Sequence, residues 1–202
     1  IIGRRLLVDL DPILIGPRTS VGDMYLGPLY YYFMAPGLLL FNLSPVGPAV
    51  GVAMLGVLTI GLVWIVTKEW FPTFIPFKKI GLLNIGALIA ALLYSISPVV
   101  IVHSRSSWNP NIMPFFALLS VYAIWKVWHL NYKWLIVFGV SIAFVLQSHY
   151  FGLLLLPIFV IFWLITLKAI RGKRKEIRKF VNLSLISLLL FAVLMSPLVI
   201  FD

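Results

Sequence analysis

Arg18 and Arg105 carry the most specific chemistry this sequence offers. A guanidinium is a rigid, permanently charged fork that pairs bidentately with phosphate oxygens, so both are candidates for holding a phosphate or pyrophosphate. Each lies in a polar stretch between apolar runs: Gly16 to Asp23 for the first, His103 to Asn111 for the second. A third polar break holds Gln147, His149 and Tyr150. Simpler roles stand beside these. Arg105, at the end of an apolar run, also suits an anchor whose head snorkels to lipid headgroups. His149 also suits a hydrogen-bonded turn residue, and a lone His gives no metal-ligand spacing. Asn109 followed by Pro110 also suits the cap and first turn of a helix. Tyr30 opens a Tyr30-Tyr31-Tyr32 cluster of the kind that forms an aromatic belt. Asp9 and Asp11, flanking Leu10, suit the solvated face of a short helix.

The elements that position these residues belong to a membrane. The chain has 202 residues, 62% hydrophobic and 11% charged, with a mean hydropathy of +1.07. An ordinary globular domain is about 25% charged, so most of this surface must face lipid or other membrane helices. Soluble enzymes, disordered chains and nucleic-acid modules are disfavoured. The net charge of +10 falls between apolar runs, where retention of cations on the cytoplasmic side explains it and no nucleic-acid partner is needed. Cysteine is absent, which removes disulfides and thiolate chemistry. No phosphate-cradling glycine loop, His-x-x-x-His pair, nucleophile elbow or mid-span GxxxG occurs. The opening Ile1, with Arg4 and Arg5 leading into a mixed segment, reads as a fragment of a longer chain rather than an intact signal peptide.

Five or six stretches meet the requirement of roughly 20 predominantly apolar residues: Val46 to Thr67, Ile80 to Val102, Asn111 to Trp128, Leu130 to Ser148, Tyr150 to Leu167 and Phe180 to Phe201. Trp134 to Leu167 as one helix would reach about 51 Å, well beyond a hydrocarbon core of about 30 Å, so a reversal is expected at Gln147-Ser148-His149-Tyr150. Placing the basic stretch Lys168 to Lys179 inside and alternating the spans puts all nine lysines on one face. The opposite face receives Arg4, Arg5, Arg18 and Arg105 with Asp9, Asp11, Asp23 and Asp202. Leu26 to Phe41 would break that parity if it crossed. Its Gly27-Pro28, three tyrosines and Pro36-Gly37 suit a helix lying on or dipping into the outer interface.

Four stretches together resemble a known family: Leu14 to Ser20, then Gly27-Pro28-Leu29-Tyr30-Tyr31-Tyr32, then Ser104-Arg105-Ser106-Ser107-Trp108-Asn109-Pro110, and finally Ser196 to Asp202. They look like membrane glycosyltransferases of the GT-C class, most similar to the group with protein O-mannosyltransferases and the lipid A aminoarabinose transferase. The resemblance implies an enzyme that takes a sugar from a polyprenyl-phosphate donor. It also implies a first membrane helix and a principal catalytic acid upstream of Ile1. In the family a second acid commonly stands at the position of Asn109. An amide cannot serve as a base, so Asn109 is expected at most to orient a hydroxyl or phosphate.

The reading is therefore all-α: a polytopic integral membrane helical bundle of about six spans plus an outer interfacial helix. Residues 1–45 form an outer loop with that helix, and residues 46–202 form an incomplete bundle. The expected function is sugar transfer from a polyprenyl-phosphate donor to a lipid, glycan or protein acceptor, on the outer face of a bacterial-type plasma membrane. Arg18 and Arg105 hold the donor phosphate; Asp23 and Asn109 are the candidate catalytic residues within this chain, and with His149 and Tyr30 they line the sugar or acceptor site. No metal ligand or cofactor is assigned, a divalent cation being the one left open. The alternatives are a transporter or permease, expected to show broken helices and ionisable groups at mid-span, and a non-catalytic scaffold subunit.

Overall fold

From Met24 to Thr67 the chain carries no Asp, Glu, Lys, Arg or His, and there it folds into two helices packed on each other. The computed structural model describes residues 2–19, 24–71 and 84–201. A short helix, α1 (Ile2–Leu7), leads through an irregular segment to α2 (Leu29–Leu40) and then to α3 (Val46–Trp70). Asn42 and Leu43 take positive φ between α2 and α3, which reverses the chain within a few residues. α2 then runs antiparallel to the start of α3: Gly37 lies against Gly47, Phe33 against Gly51, and Tyr30 against Val52 and Leu55. The expected interfacial segment is thus a helix standing along the first turns of α3. A Cβ on Gly47 would sit 2.1 Å from the Gly37 carbonyl oxygen, so only glycine permits this approach of two backbones.

The next apolar run is broken. α4 (Ile85–Ser95) and α5 (Pro98–Ser104) meet at 60°. Pro98 has no N–H to continue the ladder and holds Ser97 extended, so the helix restarts in a new direction. α6 (Met113–Trp128), α7 (Trp134–Ser148), α8 (Leu156–Ala169) and α9 (Arg174–Phe201) follow, α6 and α8 each opened by a 3-10 turn, at Asn109–Ile112 and Tyr150–Leu155. The reversal expected at residues 147–150 is present. α7 ends at Ser148, His149 is extended, and Phe138 meets Phe159 at 4.8 Å from nearly equal distances either side of the turn.

Contacts order the helices up and down. Thr59 and Tyr94 pair α3 with an antiparallel α4, and Ser120 and Ser141 (2.8 Å) do the same for α6 and α7. Leu62, Val66 and Tyr122 pack α3 against a parallel α6. Lipid competes with apolar side chains, so small residues and internal hydrogen bonds hold such a bundle. Gly139 lets α9 approach at Ser187, and Trp163 Nε1 donates to Ser184 Oγ at 3.0 Å. The outward faces stay apolar, with Leu92, Leu93, Leu188, Leu189 and Val193 exposed.

Four of the helical stretches are long and apolar enough to cross a membrane, and the bent α4–α5 pair makes a fifth. The sixth expected crossing, α7, has 15 residues, about 22 Å, because the chain turns at Leu130 (φ 66°) and resumes helix only at Trp134. α9 starts six residues before the expected Phe180, since Lys, Arg and Glu are good helix formers and carry the helix out of the apolar run. The protein is an all-α polytopic bundle, and among the described residues β pairing is limited to one antiparallel bridge, Arg18 with Tyr25.

The described lysines gather at one end. Lys126 Nζ lies 2.5 Å from Glu69 Oε2, which also accepts from Tyr122 at its other oxygen (2.7 Å), joining α3 to α6. Lys179 lies over the Tyr132 ring, joining the start of α9 to the turn before α7. Lys78 and Lys79 lie outside the described residues. Arg18 and Arg105 belong to the opposite end.

Candidate functional site

At the arginine end three polar groups meet around the N-terminus of α2. Gln147 is the knot. Its side chain is 1% exposed; Oε1 accepts from the Leu29 amide at 3.1 Å, and Nε2 donates to the Leu194 carbonyl at 2.7 Å. One amide therefore ties the starts of α2 and the ends of α7 and α9 together. Gly27 is packed so closely on this side chain that a Cβ would fall 1.9 Å from Oε1.

Arg18 hangs from the same knot. Gly16 donates to the Leu26 carbonyl, Leu26 to that of Pro17 and Thr19 to that of Met24, so residues 16–19 and 24–26 make a narrow ribbon rooted beside Gly27. Arg18 is exposed on it. Asp23 lies outside the described residues.

The Arg105 loop reaches α2 from the other side. Tyr30, the second residue of α2, is buried and shares a 2.7 Å hydrogen bond with Ser107 Oγ. Tyr30 thus has a polar partner on the loop that carries Arg105. Arg105 closes α5, is exposed, and makes no side-chain hydrogen bond or ion pair among the described residues.

Asn109 is buried, and its Nδ2 donates to the Ser148 carbonyl at 2.8 Å. It does not cap: Trp108 precedes the 3-10 turn, and the Asn109 side chain is spent on joining that turn to the end of α7. His149 accepts from the Phe151 amide through Nδ1 (3.2 Å) and stacks on Tyr150 at 4.4 Å, a local cap of the turn after α7. Asp9 and Asp11 face Arg4 and Arg5 in solvent-exposed pairs on and just after α1. The structure therefore gathers Arg18, Arg105, Tyr30 and Asn109 on elements that converge at the start of α2, with His149 next to Ser148.

The sequence reading passed over two features. Gln147 stood in the polar break with no role, although it is the one side-chain amide between Trp134 and Leu167 and no aqueous loop surrounds it. The second is a cleft of about 280 Å³ on the far side of the 103–111 loop, lined by Thr59, Tyr94, His103, Ser104, Trp108 and Asn111 with Leu55, Val100 and Phe115. Pro98, in the middle of an apolar run, was its sequence signal. Among the described residues no group of three or more His, Asp or Glu side chains is placed to hold a metal ion; Asp23 and Asp202 lie outside them.

The family model described as dolichyl-phosphate-mannose-protein mannosyltransferase matches residues 26–196. The chain belongs to that family. It is accordingly a mannosyltransferase-type glycosyltransferase and an integral membrane protein, as the resemblance of its short motifs implied. No curated protein and no solved structure matches the chain. Within this family the matched region contains both the Tyr30 to Ser107 contact and the Asn109 to Ser148 contact, and it leaves the Arg18 ribbon just upstream.

Proposed function

We propose that this transferase moves a sugar from a polyprenyl-phosphate donor to a hydroxyl on a lipid, glycan or protein acceptor, on the outer face of a bacterial-type plasma membrane. The convergence of the Arg18 ribbon and the Arg105 loop on the start of α2, at the end opposite the lysines, carries this reading. The basic end is the one a plasma membrane retains inside, so the arginine end faces out.

The chemistry follows. The acceptor oxygen bonds to the anomeric carbon, the bond from that carbon to the donor's phosphate oxygen breaks, and the carrier phosphate leaves with the electron pair. Charge grows on the leaving phosphate, where guanidinium donors stabilise it most in the transition state. The acceptor proton must pass to a base. Asn109 cannot take it, since it is an amide already donating to a main-chain carbonyl. Asn109, Tyr30 and His149 instead fix the walls against which the sugar sits.

A transporter would share the break at Pro98. The residues flanking that break, Ile96, Ser97, Val99 and Val100, include no ionisable group, whereas a transport path needs them at depth.

Arg105→Lys tests the reading. Hydrogen bonds to charged groups contribute about 1.5–3 kcal/mol, and Lys keeps the charge but loses the fork, so transfer at limiting donor in the full-length enzyme should fall about 10- to 100-fold. Unchanged transfer would leave Arg105 an interfacial anchor.

A further inference from the structure

The turn from α8 into α9 holds the densest charge in the chain. Seven cations lie between Lys168 and Lys179, all exposed, with Glu176 the one carboxylate among them. Glu176 is half-buried beside Tyr132, and none of the seven makes an ion pair among the described residues. Elsewhere at this end Lys126 pairs with Glu69 and Lys68 lies over the Trp64 ring. The charged turn is also held in place. Ile170 and Phe180, at its two ends, are 1% and 0% exposed.

Helical geometry sorts these charges onto one face. At about 100° per residue, Arg174, Lys175, Arg178 and Lys179 fall within about 140° of the circumference of α9, and the buried Phe180 and Ser187 lie on the opposite side. Arg174 with Arg178 and Lys175 with Lys179 are like-charged neighbours four residues apart, which works against the helix unless an anion lies between them. Retention of a turn on the inner side depends on how many cations it carries and does not require them on one face. The same face then becomes apolar. Leu185, Ile186, Leu189 and Val193 continue it, all exposed, and Phe180 to Val193 covers about 20 Å of helix. A cationic head on an apolar stripe of that length complements an amphiphile with an anionic head, whereas a soluble anion would leave the stripe without a partner. We infer that this face of α9 binds an anionic phospholipid, its phosphodiester among Arg174, Lys175, Arg178 and Lys179 and an acyl chain along Leu185, Ile186, Leu189 and Val193. The inference rests on insertion in a membrane and not on the sugar-transfer reading.

The test needs no turnover, so its failure differs from a failure of sugar transfer. Full-length protein in phosphatidylcholine vesicles receives a trace of phosphatidylglycerol with a diazirine in its acyl chain, or of phosphatidylcholine with the same label. After irradiation the adducts between Val181 and Val193 are mapped by mass spectrometry. Those from phosphatidylglycerol should exceed those from phosphatidylcholine at least about fivefold. Arg174→Gln with Arg178→Gln should remove most of that excess. Lys168→Gln with Lys173→Gln takes the same charge from the same turn but leaves the four cations of the helix face, and should keep at least about half of it. Equal adducts from the two lipids, or an equal loss in the two double variants, would overturn the inference, the second outcome by reducing the turn to diffuse charge. If the first double variant does not insert, the unaltered protein still decides: the excess should fall at least about threefold as NaCl rises from about 0.05 M to about 0.5 M, and an excess indifferent to salt counts against binding through the headgroup. Loss of the excess on adding polyglutamate at constant ionic strength would give the cations to an acidic protein instead and likewise overturn it.

Discussion

Asn109 shows how one atom decides what a position can do. Its buried Nδ2 donates to the Ser148 carbonyl, where a carboxylate would set charge against an oxygen lone pair and leave that carbonyl without its donor. Asn109→Asp should therefore destabilise the arginine end by about 1–3 kcal/mol, read as earlier thermal unfolding and faster proteolysis within residues 103–111. A variant with unaltered stability would free this position for the acid that the family resemblance places there. The residue types were legible in the sequence: Arg18, Arg105, Tyr30, Asn109 and His149 all fall at one end, on segments that the fold brings together. Their partners were not. A hydrogen bond between residues 39 apart, or from the Leu29 amide to Gln147 across 118, leaves no local pattern, because the partner is a main-chain group that any residue supplies.

At the scale of elements, periodicity and length found the helices but not their bends or starts. Charge parity kept Leu26 to Phe41 from counting as a crossing, and the packed hairpin of α2 on α3 explains how it returns to the same end. The hairpin was illegible because Gly37 and Gly47 read as ordinary breakers until their backbones are seen in contact. Gly47→Val should prise them apart, since the clash is with backbone atoms that cannot rotate away. α2 carries Tyr30 and donates its Leu29 amide to Gln147, so its release should also loosen the Arg105 loop. Limited proteolysis should then cut between residues 24 and 45 at least several-fold faster than in the parent, whereas Gly61→Val, which meets open space on the same α3, should not change the rate. Equal rates for the two would mean that α2 is held by something other than this contact.

The whole molecule sets the depth at which the site works. Gly56 is level with Ser104 at the end of α5, and Leu55 packs with Ile112 at the start of α6, so Val46 to Leu55 projects beyond those loops by about 15 Å. The tip of that projection is apolar: Leu39, Leu40, Phe41, Leu43 and Val46 are exposed, Leu40 at 80%, with no charged group from Met24 to Thr67. Such a patch is costly in water and suits lipid. If the tip is in lipid, the polar loops that carry Arg105 and Asn109 lie beneath the membrane surface, recessed to where a prenyl-linked phosphate would meet them. These 202 residues hold no cysteine, so single cysteines placed in them report their own positions once any cysteine elsewhere in the full-length protein is replaced. In right-side-out vesicles of the full-length protein, Ser106→Cys should react with a membrane-impermeant maleimide from outside. Lys175→Cys should react only after permeabilisation, and Leu40→Cys should stay unreactive in both conditions. Labelling of Lys175→Cys from outside would reverse the orientation. Labelling of Leu40→Cys as fast as Ser106→Cys would put the hairpin tip in water and raise the site to the surface.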